Sequence, residues 1–207
     1  MNLSLQDNRH RVQRHAFSLL EQLIVLVIIA ILLLAGLSFN KTPLGERMAA
    51  AEQFVGSKVR EARFVAVMRS SNARLLVHAD SSQPDYCWRS VTIVAETEPG
   101  SGEWHAVGLP ERLPPGIVWA DKGTAGPHSG KMESLPEAIS GWASGVQCLS
   151  YEFEGSGRAT ESSYVCRFGL GGVAEGMPVF SNRKDIRGVW VSAYGFVSEL
   201  PPGMEKE

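Results

Sequence analysis

The chain has 207 residues, enough for one ordinary domain with its own core and an additional segment. Its formal net charge of -2 excludes an argument from charge for nucleic acid or any strongly charged partner. The first sixteen residues hold Arg9, Arg11 and Arg14 against the single acid Asp7, so the remainder is mildly acidic. From Phe17 to Phe39 the only formal charge is Glu21. The block Leu23–Leu37 is almost pure Leu, Ile, Val and Ala, and no polar stripe follows Gln22. A helix needs about 20 apolar residues to span a bilayer, so residues 17–39 are expected to be a transmembrane helix. Arginines before the span, with only Lys41 and Arg47 soon after it, place the N-terminus in the cytoplasm and the bulk of the chain outside. A secretory signal is the competing reading, with Ala35 and Gly36 as small residues for cleavage. Its apolar region would be shorter, and an acid at its N-terminal edge would be out of place.

Asn40-Lys41-Thr42-Pro43 ends the apolar run, and Pro43 predicts a break or kink. An amphipathic helix is expected from about Gly45 to Ser70, because Val55, Val59, Ala62 and Ala66 recur at helical spacing. Packing on a sheet is the expected use of that face, and a coiled-coil partner is the alternative. Strands are expected at Arg74–Ala79, Tyr86–Ala95, Gly116–Ala120, Val146–Glu154, Ser163–Leu170, Pro178–Ser181 and Gly188–Tyr194, where β-branched and aromatic residues concentrate. Turn-forming clusters separate them. The stretch Asp121–Gly145 reads as a long surface loop, either facing a partner or hiding an element. Pro201–Glu207 reads as a disordered tail.

No catalytic or metal constellation emerges. The five histidines are scattered, and two of them, His10 and His15, lie ahead of the apolar run. Gly169-Leu170-Gly171-Gly172 follows a strand, but no helix pattern opens after it, so a phosphate cradle lacks its context. An enzyme and a bound cofactor are therefore not expected. Of the three cysteines, Cys87, Cys148 and Cys166, the last two sit in strands adjacent in sequence and form the candidate disulfide. Buried free thiols are the alternative. Arg183, Lys184 and Arg187 cluster near the C-terminus as candidate phosphate contacts for DNA. Asp185 interrupts them, and a solvated loop face accounts for them without nucleic acid.

Arg14-His15-Ala16-Phe17-Ser18-Leu19-Leu20-Glu21, followed at once by the apolar run, resembles the prepilin-type leader of type IV pilins. That resemblance implies cleavage between Ala16 and Phe17 by a prepilin peptidase and N-methylation of Phe17. It also implies that Glu21 pairs with the free amine of a neighbouring subunit during assembly; an interfacial Glu reaching the headgroups is the alternative. The pattern departs from the family at Ala16, where Gly is usual.

Three further places are similar to the GspH/FimT-type minor pseudopilins. They are Phe54–Ser70, Leu113-Pro114-Pro115-Gly116-Ile117-Val118, and the closing segments Phe153–Ala159 and Ile186–Ser192 with Gly195. The resemblance implies an α+β pilin fold, a long N-terminal helix packed on an antiparallel β domain of two stacked sheets. The expected organisation is a leader over 1–16, a transmembrane helix over 17–39 and an amphipathic helix over 40–71. A periplasmic β-rich domain follows over 72–200, then the tail over 201–207. The implied role is a structural minor pseudopilin of a type II secretion pseudopilus in the bacterial inner membrane. Its partners would be other pseudopilins or pilins, a platform protein and the prepilin peptidase. A minor type IV pilin for adhesion, motility or DNA uptake is one alternative, and an anchored periplasmic binding module that never assembles is another.

Overall fold

The computed structural model describes residues 19–39, 44–125, 129–135 and 141–200, without side chains at 34–39, 44, 122 and 125. The expected cleavage site at Ala16 and Phe17, the break at Pro43 and the tail 201–207 lie outside the described residues, as do 126–128 and 136–140 of the expected loop. The chain divides after Thr42 into two units.

The first unit contains helix α1, Leu19–Phe39, with Glu21 in its first turn. Its 21 residues correspond to a length of about 31 Å at 1.5 Å per residue. Leu, Ile and Val side chains from Leu19 to Leu33 are exposed. Among the described residues no helix is long and apolar enough to cross a membrane.

The second unit begins with α2, Leu44–Arg69. Met48, Ala51, Val55, Val59, Ala62 and Ala66 form its buried stripe, at spacings of three and four residues. This face includes all four residues expected from periodicity. Burial of a side chain such as Val55 or Val59 contributes about 1.5–3 kcal/mol, while the alanines let the backbone approach the sheets closely. The helix ends with Ser70 at φ 50, as Ser71 N–H bonds to Ala66 O and Ser70 N–H to Val67 O, both at 3.2 Å. This reciprocal closure satisfies carbonyls that the last turn would leave open.

Two antiparallel sheets follow. Sheet A contains β1 (Ala73–His78), β2 (Ser90–Glu96), β3 (Trp104–Ala106), β4 (Glu111–Arg112), β6 (Lys131–Ser134) and β7 (Gln147–Phe153). Their order is β3-β2-β1-β7-β6, with β4 also paired to β2. Sheet B contains β5 (Ile117–Trp119), β8 (Ser163–Ala174), β9 (Met177–Phe180), β10 (Arg187–Ser192) and β11 (Val197–Leu200). Its order is β11-β10-β8-β5, with β9 paired to β8. Helix α2 packs on strands of both sheets.

Strand alternation divides the apolar residues of sheet A between two clusters. Leu75, Val77, Ile93, Leu149, Tyr151 and Phe153 enter the main core with the α2 stripe. Leu76, Val94 and Cys148 enter a second cluster with Leu135, Trp142 and Val146. The region expected to be a long surface loop therefore covers the outer face of sheet A. It also contains β6 and a short helix, α3 (Lys122–Ala125). On that outer face Arg74 Nε bonds Glu152 Oε2 at 2.8 Å and Nη1 meets Glu133 at 3.2 Å. The Arg74 guanidinium stacks 3.8 Å from the Trp104 ring centroid, so one side chain links four strands.

The expected strand from Tyr86 begins only at Ser90. The cause is Trp88, held at φ 54, a conformation that bulky residues rarely adopt. Three hydrogen bonds fix it: its N–H to His78 O at 2.7 Å, its O from Trp119 N–H at 2.8 Å, and its indole N–H to Gly176 O at 2.8 Å. Strand β8 runs beyond the expected Leu170, through Gly171 and Gly172. A Cβ on Gly171 would lie 2.1 Å from Val179 O, so this glycine permits the close approach of β9 rather than cradling a ligand.

Candidate functional site

Glu21 stands in the first turn of α1, where Leu19–Phe39 contains no other charged residue. An ionisable group beside such an apolar run marks a functional position in a lipid setting. The amine expected to meet it belongs to residue 17, outside the described residues.

A second candidate surface lies at one edge of the β domain. Phe64, Val67 and Met68 on α2 are exposed by 61%, 45% and 66%, away from the stripe that enters the core. Val67 and Arg63 adjoin the turn at Gly157, and Arg63 Nε donates to Gly157 O at 3.0 Å. The β10–β11 hairpin closes against the same turn at Gly195. There φ is +76, and an added Cβ would lie 2.2 Å from Gly157 O. This close approach presents Tyr194 and Phe196, each about two-thirds exposed. Arg158 stacks on Tyr194 with 5.5 Å to the ring centroid, and Arg63 on Phe196 with 5.7 Å. Aromatic side chains, Met and Arg are the types enriched at the centres of protein interfaces. Arg63 and Phe196 are distant in sequence, and the only signal for the patch was the pair of apolar residues beside Gly195.

The three C-terminal cations do not converge. Arg183 and Lys184 lie on an exposed 3-10 turn, Arg183–Asp185, capped by Asn182 Oδ1 accepting from Lys184 N–H at 3.1 Å. Arg187 instead reaches Glu52 on α2, with Nη1 to Oε2 at 2.9 Å. It ties β10 to the helix, so a three-cation phosphate contact is corrected to two exposed cations and a structural ion pair.

The cysteines also depart from the expected pairing. All three are buried free thiols. Cys148 lies in sheet A facing the second cluster, whereas Cys166 lies in sheet B facing the main core. Strands consecutive in the chain thus belong to different sheets, and alternation directs the two thiols to different sides of sheet A. Burial pushes the Cys87 thiol up to about 11 and Cys148 to about 12, and raises Cys166 further.

His78 is wholly buried, with Nε2 3.0 Å from Gln83 Oε1 and the Trp142 ring edge-on at 5.0 Å. His105 lies beside Arg69 at the surface. Among the described residues no three metal-ligating side chains come together.

No protein-family model and no curated protein matches the sequence. Among solved structures, the chain is similar to the type IV minor pilin FimU of Pseudomonas aeruginosa, at 13% identity and a TM-score of 0.46. That match covers 80% of this chain and 98% of FimU. It is also similar to the minor pseudopilin EpsH from the type 2 secretion system of Vibrio cholerae, at 11% identity and a TM-score of 0.44, covering 77% of this chain and 99% of EpsH.

Proposed function

We propose that this chain is a structural subunit of a pilin-like assembly, a minor pseudopilin of a type II secretion pseudopilus held in the bacterial inner membrane. The observation that carries the proposal is Glu21 in the first turn of α1, four residues after Phe17 and followed by no further charge up to Phe39. In this reading the peptidase cuts between Ala16 and Phe17, and the new amine at Phe17 is methylated. The amine and Glu21 of neighbouring subunits then pair at one depth in the membrane. Lipid is as apolar as the helix, so burial of α1 side chains gives little drive for association; packing and polar contacts set register instead. The β domain projects on the periplasmic side and presents the Arg63–Phe196 edge to other subunits. The platform protein is the further partner in the membrane.

The test is the intact mass and N-terminal sequence of the protein extracted from membranes of its native host. A chain beginning at methylated Phe17 is the expected result. A chain beginning at Met1 would leave Glu21 without the amine and overturn the assembly reading in favour of an anchored module. A start near Ser38 would identify the apolar run as a cleaved signal.

A further inference from the structure

Arg167 lies in β8 between Cys166 and Phe168, both of which enter the main core. Alternation sends Arg167 to the opposite face of sheet B. Its Nε is buried there without a hydrogen-bond partner. An unsatisfied buried donor on a charged group demands an explanation, because native structures contain few of them. Arg167 borders a cavity of about 430 Å³, whose described walls also include Arg183, Gly123, Thr124 and Ile186. Neither arginine pairs with an acid among the described residues. The nearby acids are engaged locally. Asp121 accepts from the Gly123 and Thr124 amides, both at 3.2 Å, and Asp185 accepts from the Asn182 side chain at 2.9 Å.

Two cationic groups therefore line one concavity without a counter-charge in its described walls. We propose that this cavity is a carboxylate-binding site that receives one aspartate or glutamate side chain from a neighbouring subunit. The proposal rests on the reading of the chain as an assembling subunit. A guanidinium offers a planar fork matched to a carboxylate, and two of them bracket one group more selectively than a lysine would. Thr124 adds a hydroxyl donor, and Ile186 is an apolar wall for the methylenes of the incoming side chain. Nucleic acid fits less well, since a phosphate backbone requires cations along a track. Lys184 is the only other cation of this turn, and Arg187 is held by Glu52.

The test uses the ¹⁵N-labelled full chain in detergent micelles, titrated with N-acetyl-glutamate N-methylamide while arginine Nε–H resonances are followed. A saturable shift of the Arg167 resonance at concentrations on the order of millimolar is expected, with none from the glutamine analogue. Arg183→Gln should weaken it by about tenfold or more, and in Arg167→Gln, which lacks that resonance, the shift followed at the Thr124 backbone amide should weaken to the same degree. Arg183 is on an exposed turn, so its variant remains informative even where Arg167→Gln disturbs the sheet. No saturable shift, or an unchanged one in Arg183→Gln, overturns the proposal. Inorganic phosphate or oligothymidylate saturating the same resonance at lower concentration also overturns it, in favour of a phosphate ligand. The titration is independent of where the N-terminus is cut. Its failure leaves the N-terminal mass unaffected, and a start at Met1 leaves the titration readable.

Discussion

The indole N–H of Trp119 donates to the phenol oxygen of Tyr151 at 3.0 Å, and both side chains are completely buried. Trp119 belongs to β5 of sheet B and Tyr151 to β7 of sheet A, so the bond joins the two layers inside the main core. Burial holds the Tyr151 phenol well above its ordinary pKa and therefore neutral. Tyr151→Phe removes the acceptor and strands the indole N–H, at an expected cost of about 1–3 kcal/mol. For a domain of this size each kcal/mol lowers Tm by about 2–4 °C. Thermal unfolding of the variant in micelles, followed by tryptophan fluorescence, checks this. A Tm equal to that of the parent chain would mean that the buried bond contributes nothing net.

That bond could not be read from the sequence, although much around it could. The α2 stripe at Val55, Val59, Ala62 and Ala66 was legible because a helix buries one face at a fixed period, whatever the partner. Strands β1, β7 and β10 were legible because β-branched residues occur there in runs. The short strands β3, β4, β6 and β11 were not, since a few residues at the margin of a sheet take strand form only from what they pair with. Leu135 and Trp142 fall in the stretch that reads as a long surface loop; only the two-faced packing of sheet A shows what they cover. The tight turn at Trp88 was hidden for a related reason, because its φ is imposed by hydrogen bonds to His78, Trp119 and Gly176. For the candidate surfaces, Glu21 stood out as one acid against an apolar run. The Arg63–Phe196 edge and the Arg167–Arg183 cavity arise only where distant segments meet.

The cysteines give a prediction with a simple mass readout. Free thiols raised to about 11 at Cys87 and about 12 at Cys148, with Cys166 raised further, hold little thiolate at pH 8. The thiolate is the reactive species, and all three sites are also closed to reagent by burial. The native chain should take up almost no iodoacetamide at pH 8 within the time that a free thiol reacts fully. After denaturation without reductant it should take up three equivalents. Labelling of Cys87 alone under those conditions would reveal a disulfide between the other two and contradict the separation of Cys148 from Cys166.

His78 makes stability depend on pH. Burial is the main cause that lowers its pKa, with the Gln83 hydrogen bond and Asp80 opposing. Between the depressed folded value and the unfolded value of about 6.5, the unfolded chain binds more protons. Stability is therefore greatest above the unfolded pKa and falls as pH drops through that window. His105 is shifted in the same direction by burial and Arg69, so it is replaced by Gln in the background used for the measurement. Asp80 is depressed as well, chiefly by hydrogen bonds from Ser82, and its effect belongs to lower pH, below about 4. Tm should be level from pH 8 to 7 and decline from pH 7 to 5. The decline should flatten in His78→Gln; an equal slope in that variant would assign the effect elsewhere.

Glu21 separates an assembling subunit from an anchored domain. If its carboxylate pairs with the amine at Phe17 of a neighbour, Glu21→Ala removes one half of a pair set in an apolar medium. Removing one partner of such a pair is costly because the other remains unmatched. Copurification with pilin-like subunits from native membranes should fall at least tenfold, while the amount inserted and the fold of the β domain stay unchanged. Glu21→Asp keeps the charge on a shorter side chain and should restore part of the association, whereas Glu21→Gln should not. The Arg63→Ala variant provides an independent comparison. It removes the stack on Phe196 and the bond to Gly157 at the domain edge and leaves the sequence of α1 unchanged. If Glu21→Ala assembles normally and Arg63→Ala does not, association is carried by the β domain alone and the role given to Glu21 fails.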